Sequence, residues 1–211
     1  PPQYRQFDPA KINFDEWGIP WEHTGIFWES RRPPLKNAKI EDLVNYPWPK
    51  PLQDQYLKGL REEVEYKYKK TDFALVACLP AHCYGIMTTA WLLRGLDVFM
   101  MDLIANKEFI NELMNNILAV HKDVYKKFLS IVGDCVEIVH TGDDMGTQKG
   151  PFFSADMYKE QIQPKQKELL QLVKNITNAK VFFHSCGSIY KLLNHMIDAG
   201  VDILNPIQST A

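Results

Sequence analysis

Two short stretches of this chain bring metal-ligating and acid–base side chains close together. The first is His184-Ser185-Cys186-Gly187, which follows an apolar run. Residues two apart on an extended strand point to the same face. The imidazole and the thiol therefore emerge side by side, as two ligands of one tetrahedral zinc require. Gly187 lets the backbone turn sharply beyond them. Two donors make half a zinc site, and the plain alternative is a hydrogen-bonded histidine beside a buried cysteine. The second stretch is Thr141-Gly142-Asp143-Asp144-Met145-Gly146-Thr147-Gln148. Its adjacent carboxylates alternate in direction, so at most one of Asp143 and Asp144 faces a site opening at the strand end. That carboxylate would act as a general acid or base, or anchor a cationic or hydrogen-bonding substrate group. Turn formation and capping are the alternative, since aspartate performs both routinely. His140 and Gln148 flank the pair as candidates for substrate contact.

A third stretch, Leu79-Pro80-Ala81-His82-Cys83-Tyr84-Gly85, offers His82 and Tyr84 as pocket-lining groups. Cys83 is a further donor there, within what also reads as a packed loop. His121 and His195 fall on helices and His23 in a hairpin turn, where packing accounts for them. The Met100-Met101 pair reads as core filler.

These residues need elements to position them. The runs Phe73 to Leu79, Val136 to His140, Lys180 to His184 and Val201 to Leu204 read as strands, the first buried on both faces. Between them the spacing predicts helices over residues 54–70, 88–105, 107–131, 154–177 and 188–199. Tyr56, Leu60, Val64 and Tyr68 form the stripe of the first helix. In the third, Ile110, Leu113, Ile117, His121, Val124 and Phe128 recur at helical spacing. Ser154 is the expected N-cap of the fourth, and Pro164 should kink or divide it.

Short strands alternating with helices argue for parallel β-α units. No glycine-rich phosphate loop supports a nucleotide-binding open sheet. Polar residues gather just after strand ends instead: His82 and Cys83, Asp143 and Asp144, His184 and Cys186, Asn205 and Gln208. Barrel enzymes place their chemistry there. The expected fold class is therefore α/β, a (β/α)8 TIM barrel seen as an incomplete barrel with an N-terminal β-hairpin appendage. Residues 1–53, rich in tryptophan and proline, form the hairpin around His23-Thr24-Gly25 and an extended segment packed on the barrel. Residues 54–211 form the partial barrel. Four strands against the eight of a full barrel imply a longer native chain, or a second copy that pairs with this one as a homodimer.

Composition narrows the class. The chain has 211 residues, 45% of them hydrophobic, and a net charge of −2. Near-neutrality gives no pull toward nucleic acid or anionic lipid. No apolar run approaches the roughly 20 residues of a membrane span. The first residues lack the apolar core of a signal peptide, and no initiator Met is present. The four cysteines (Cys78, Cys83, Cys135, Cys186) fit reduced thiols in a cytoplasmic protein.

The order of these motifs resembles the uroporphyrinogen decarboxylase superfamily. The resemblance is carried by Thr141 to Gln148, then Phe152-Phe153-Ser154 and a helix with Pro164. It continues through Lys180 to Ser188 and Asp198 to Pro206, with Trp91 to Leu103 and the Asp15-Glu16-Trp17-Gly18 hairpin in support. It implies a barrel enzyme of one of two chemistries. The decarboxylases act on a tetrapyrrole without a cofactor, using an aspartate. The cobamide-dependent methyltransferases use zinc held by an H-x-C pair and a later cysteine to activate a thiol. His184 and Cys186 match that pair, and the later cysteine would fall beyond Ala211. The expected function is zinc-assisted transfer of a methyl group between a corrinoid, supplied by a partner protein, and a thiol or other small acceptor. Decarboxylation, or a non-catalytic barrel that binds a corrinoid or tetrapyrrole, is the alternative.

Overall fold

A computed structural model describes residues 8–50, 52–79 and 85–208. His82, Cys83 and Tyr84 lie outside the described residues. Near the N-terminus, β1 (Asn13–Phe14), β2 (Pro20–His23) and β3 (Trp28–Glu29) form an antiparallel sheet in that order. The expected hairpin is there, with Thr24 N–H donating to Phe27 O across its turn and His23 paired with Trp28. Among its described residues, the proline-rich segment after it forms no helix beyond a 3-10 turn at Ile40–Leu43. It lies on the rest of the molecule through buried Leu35 and Leu43.

The second sheet is parallel and comprises β4 (Val76–Cys78), β5 (Ile138–Gly142), β6 (Lys180–His184) and β7 (Ile203–Asn205). Its order is β4-β5-β6-β7, each strand beside the next in sequence. A doubly wound sheet reverses direction at a switch point, whereas a barrel advances one way. This sheet advances one way.

The helices are α1 (Asp54–Leu57), α2 (Leu60–Lys70), α3 (Ile86–Arg94), α4 (Leu96–Ala105), α5 (Lys107–Val132), α6 (Ala155–Met157), α7 (Gln163–Ile176) and α8 (Leu193–Ala199). Two helices expected to be continuous are each broken at a glycine with positive φ, Gly59 at 77° and Gly95 at 89°. Glycine adopts that conformation without the steric cost other residues meet. Tyr56 and Tyr68 of the first expected stripe are exposed, while Leu60 and Val64 pack against the core. The α5 stripe is as read: Ile110, Leu113, Ile117, His121 and Val124 are buried and Phe128 is half-buried. Each buried Leu, Ile or Val is worth about 1.5–3 kcal/mol, so this face anchors the helix.

Ser154 Oγ accepts from Met157 N–H at 3.1 Å, as expected of an N-cap. The expected helix is divided as read: Pro164 sits in the first turn of α7, and a π turn over Tyr158–Ile162 separates that helix from α6. Proline has no N–H to give the carbonyl four residues back, which the first turn of a helix does not require.

The expectation that residues 73–79 form a strand buried on both faces is corrected. Only Val76–Cys78 is strand, and Phe73, Val76 and Cys78 are exposed. Ala77 and Leu79 are buried, which places them on the helix-covered side. Before β4 the chain is tied to the next strand by Glu137, whose side chain accepts from Leu75 N–H at 2.6 Å.

Candidate functional site

In a parallel sheet, register partners stand side by side on the same face. Cys78, His140, Phe182 and Ile203 form one row on the face away from the helices, and Gly142, His184 and Asn205 form the row above it. Cys78 Sγ lies 3.3 Å from His140 Nδ1, and the His140 ring packs on Phe182 with centroids 5.2 Å apart. The alternating residues Ala77, Val139, Thr141, Val181 and Phe183 are buried on the opposite side.

Above these rows the chain leaves β5 and β6 at the strands' C-terminal ends. Here Asp144, His184 and Cys186 come together, one ligand atom of each lying within 4.8 Å of the others. Cys186 Sγ is 3.3 Å from His184 Nε2, and Asp144 Oδ1 is 3.4 Å from the same nitrogen. Asp144 Oδ1 also accepts from Cys186 N–H at 2.9 Å. Burial raises the Cys186 thiol pKa, and the carboxylate of Asp144 raises it further.

Glycine makes this approach possible. A Cβ on Gly142 would overlap the backbone of His184, and one on Gly187 the backbone of Gly146. Gly187 also has φ of 87°. The loop after β5 can therefore lie directly on the turn after β6. Ser185 pins it there: its buried Oγ accepts from Met145 N–H at 3.1 Å.

Asp143 points the other way. It is buried beneath the helices, where Oδ1 accepts from Thr88 N–H at 2.7 Å and Oδ2 from Gln166 Nε2 at 2.8 Å. Gln166 Oε1 in turn accepts from Tyr158 Oη–H at 2.6 Å. Burial pushes the Asp143 carboxyl up to about 6, against the opposing pull of the Thr88 and Gln166 hydrogen bonds. This chain of polar groups holds one carboxylate under the sheet's edge and leaves its neighbour to turn outward.

The structure thus joins Asp144, His184 and Cys186 and sets His140 one row below them. It does not bring Asp143 or Gln148 into the group. Asp143 is committed to Thr88 and Gln166, and Gln148 sits exposed in the turn between Thr147 and Gly150. His121 is buried against Trp17, ring centroids 5.6 Å apart, as a packing residue. Sequence reasoning missed Ser185 and Gln166. The signal for Ser185 was its place between His184 and Cys186, which sends it to the opposite face. Gln166 carried no local signal.

The site's donors suit a borderline metal. Tetrahedral Zn²⁺ with N, O and S ligands at about 2.0–2.3 Å sets them about 3.3–3.6 Å apart. The two separations at His184 Nε2, 3.3 and 3.4 Å, match that spacing.

Comparison with curated protein sequences gives no match. Among solved structures, a methyltransferase from Methanosarcina mazei superposes with a TM-score of 0.59 at 14% identity. The likeness covers 90% of this chain and 52% of that one, so the chain spans about half that protein's length. At such identity the likeness speaks for the fold. The family comparison is more direct, because the sequence matches uroporphyrinogen decarboxylase (URO-D) over residues 23–207. That span holds β4 to β7 and every residue of the triad, and the chain belongs to the uroporphyrinogen decarboxylase family.

Proposed function

We propose that this chain carries the metal centre of a (β/α)8-barrel methyltransferase. It would move a methyl group between a corrinoid borne by a separate protein and a thiol or other small acceptor, in the cytoplasm. One observation carries the reading: at the C-terminal ends of parallel strands, His184 Nε2 stands at zinc-ligand spacing from both a thiol sulfur and a carboxylate oxygen. That a structural neighbour is a methyltransferase points the same way.

His184 Nε2, Cys186 Sγ and an Asp144 carboxylate oxygen would hold the ion. Three protein donors leave a position open, as in catalytic rather than structural zinc sites. Bound there, zinc lowers the pKa of a substrate thiol and so supplies a thiolate nucleophile at neutral pH. The protein's own groups do the rest. Asp144 Oδ1, which accepts from Cys186 N–H and lies 3.4 Å from His184 Nε2, would offer its remaining lone pair to the ion. Cys186, whose thiol pKa is raised by burial, would give up its proton on ligation. His140 and Phe182 form a floor beneath the site on which the acceptor's carbon chain can rest. The resemblance places the third ligand at a later cysteine; Asp144 offers a third donor from within this chain.

The test is metal content and turnover of the full-length protein. Stoichiometric zinc and methyl transfer from a methylated corrinoid to a small thiol are expected, both lost in Cys186→Ala. Turnover of a uroporphyrinogen that persists in chelator would replace this reading with cofactor-free decarboxylation. Corrinoid or tetrapyrrole affinity without any turnover would instead indicate a non-catalytic barrel.

A further inference from the structure

Two polar side chains at the end of β7, Asn205 and Gln208, have no place in the triad, yet both reach the segment that bears it. Asn205 is the register partner of His184, and its Oδ1 lies 3.1 Å from His184 Nδ1. With the amide oxygen turned to the ring, as it is here, the contact is a hydrogen bond when Nδ1 carries the proton. A neutral imidazole protonated at Nδ1 carries its lone pair on Nε2. Nε2 is the nitrogen that faces Cys186 Sγ and Asp144 Oδ1. The Asn205 backbone reinforces the arrangement, its carbonyl accepting from Ser185 N–H at 2.8 Å. Three residues on, Gln208 Oε1 accepts from Gly187 N–H and closes the turn in which Cys186 sits.

We propose that Asn205 is a positioning residue of the metal centre: it holds His184 in the Nδ1–H tautomer, keeping Nε2 available to an ion, while Gln208 steadies the turn at Cys186. The proposal rests on the metal reading above. Its force comes from the competing arrangement. With the proton on Nε2, His184 would donate to the Asp144 carboxylate, and one hydrogen bond would consume two of the three donors. A charged acceptor attracts a proton more strongly than a neutral amide. Without Asn205, Asp144 would win that proton and the site would quench itself. Asn205 has the advantage of alignment, since strand pairing places its side chain beside Nδ1. Metal-bound histidines generally donate their second N–H to such a partner, and losing it costs about 10–100-fold in affinity.

The experiment reads the tautomer and the affinity separately, on the full-length protein. Nitrogen-15 NMR of labelled histidine, in metal-free protein at a pH where imidazole is neutral, should show His184 protonated at Nδ1. In Asn205→Ala the proton should move to Nε2, and zinc affinity, measured by competition with a chelator, should fall about 10–100-fold. Asn205→Asp keeps an acceptor and should keep both the tautomer and the affinity. A merely structural role for Asn205 would lower the stability of its variants without moving the proton. Nε2–H in the wild type, or unchanged affinity and tautomer in Asn205→Ala, would overturn the proposal. If the tautomer responds as expected but the wild type binds no zinc, the positioning stands and the metal reading falls. If zinc requires His184 and Cys186 yet ignores Asn205, the reverse holds.

Discussion

Along β5 and β6 the helix-facing residues and the open-face residues alternate one by one, and both rows end in polar groups. On the helix side those groups are Asp143 and Ser185. Their hydrogen-bonding capacity is met by Thr88, Gln166 and Met145, so they join loop to sheet. On the open side they are His184 and Cys186, joined by Asp144, whose acceptors face one another across a few ångströms. Polar residues thus tie loop to sheet on one side and, on the other, form the group to which the proposed chemistry is assigned. Parity along the strand, rather than residue type, decides which.

This division predicts that substitutions on the helix side change stability and those on the open side change binding. The largest effect should come from Phe183→Ala, which empties a buried position and should cost about 3–5 kcal/mol in denaturant unfolding. Zinc affinity of the molecules that remain folded should hold. A variant that lost affinity with little loss of stability would break the comparison.

Next is the pH dependence set by Asp143. Burial raises its pKa from 3.8 to about 6, so across that window the folded protein holds a proton that the unfolded chain has released. The stability associated with the protonated carboxyl is complete below the lower value and is lost as pH rises through the upper one, about 3 kcal/mol in all. Unfolding free energies of metal-free protein should show this fall, and Asp143→Asn should lack it. Parallel profiles for the two proteins would mean that the carboxyl stays ionised throughout.

The smallest effect on stability belongs to His184→Ala and Cys186→Ala. Without metal each should unfold within about 0.5 kcal/mol of the wild type, because neither residue anchors the core. Added zinc should raise the wild-type melting temperature and leave both variants unmoved, since only the wild type has a folded-state site to fill. A large metal-free loss in either variant would give the open face a structural task as well.

Much of this was legible in the sequence. Period-two spacing put His184 and Cys186 together, and the alternation of Asp143 and Asp144 said that only one could join them. It did not say which, because the apolar run that forms β5 does not record which of its two faces the helices cover. Asp143 is held on the helix side by Gln166, 23 residues downstream on α7. Such a partner is set by tertiary packing and leaves no local trace. The misread strand at Phe73 to Leu79 has a different cause. An apolar run records that burial is needed but not which face receives it, and here Val76 and Cys78 face the open side. The glycines that break the helices, Gly59 and Gly95, were visible as residues, but their positive φ angles were not.

The packing of Gly146 against Gly187 also bears on how the site comes into being. Asp144 and His184 are separated by forty positions, and closing so long a loop carries an entropy cost that some interaction must meet. Here two glycine backbones and the Ser185 hydroxyl meet it while the chain folds. A cation at the proposed centre would then find its donors already gathered, and its binding energy would not be spent on assembling them. Association should accordingly be fast and limited by the shedding of water and of the Cys186 proton, with the fold providing the wait.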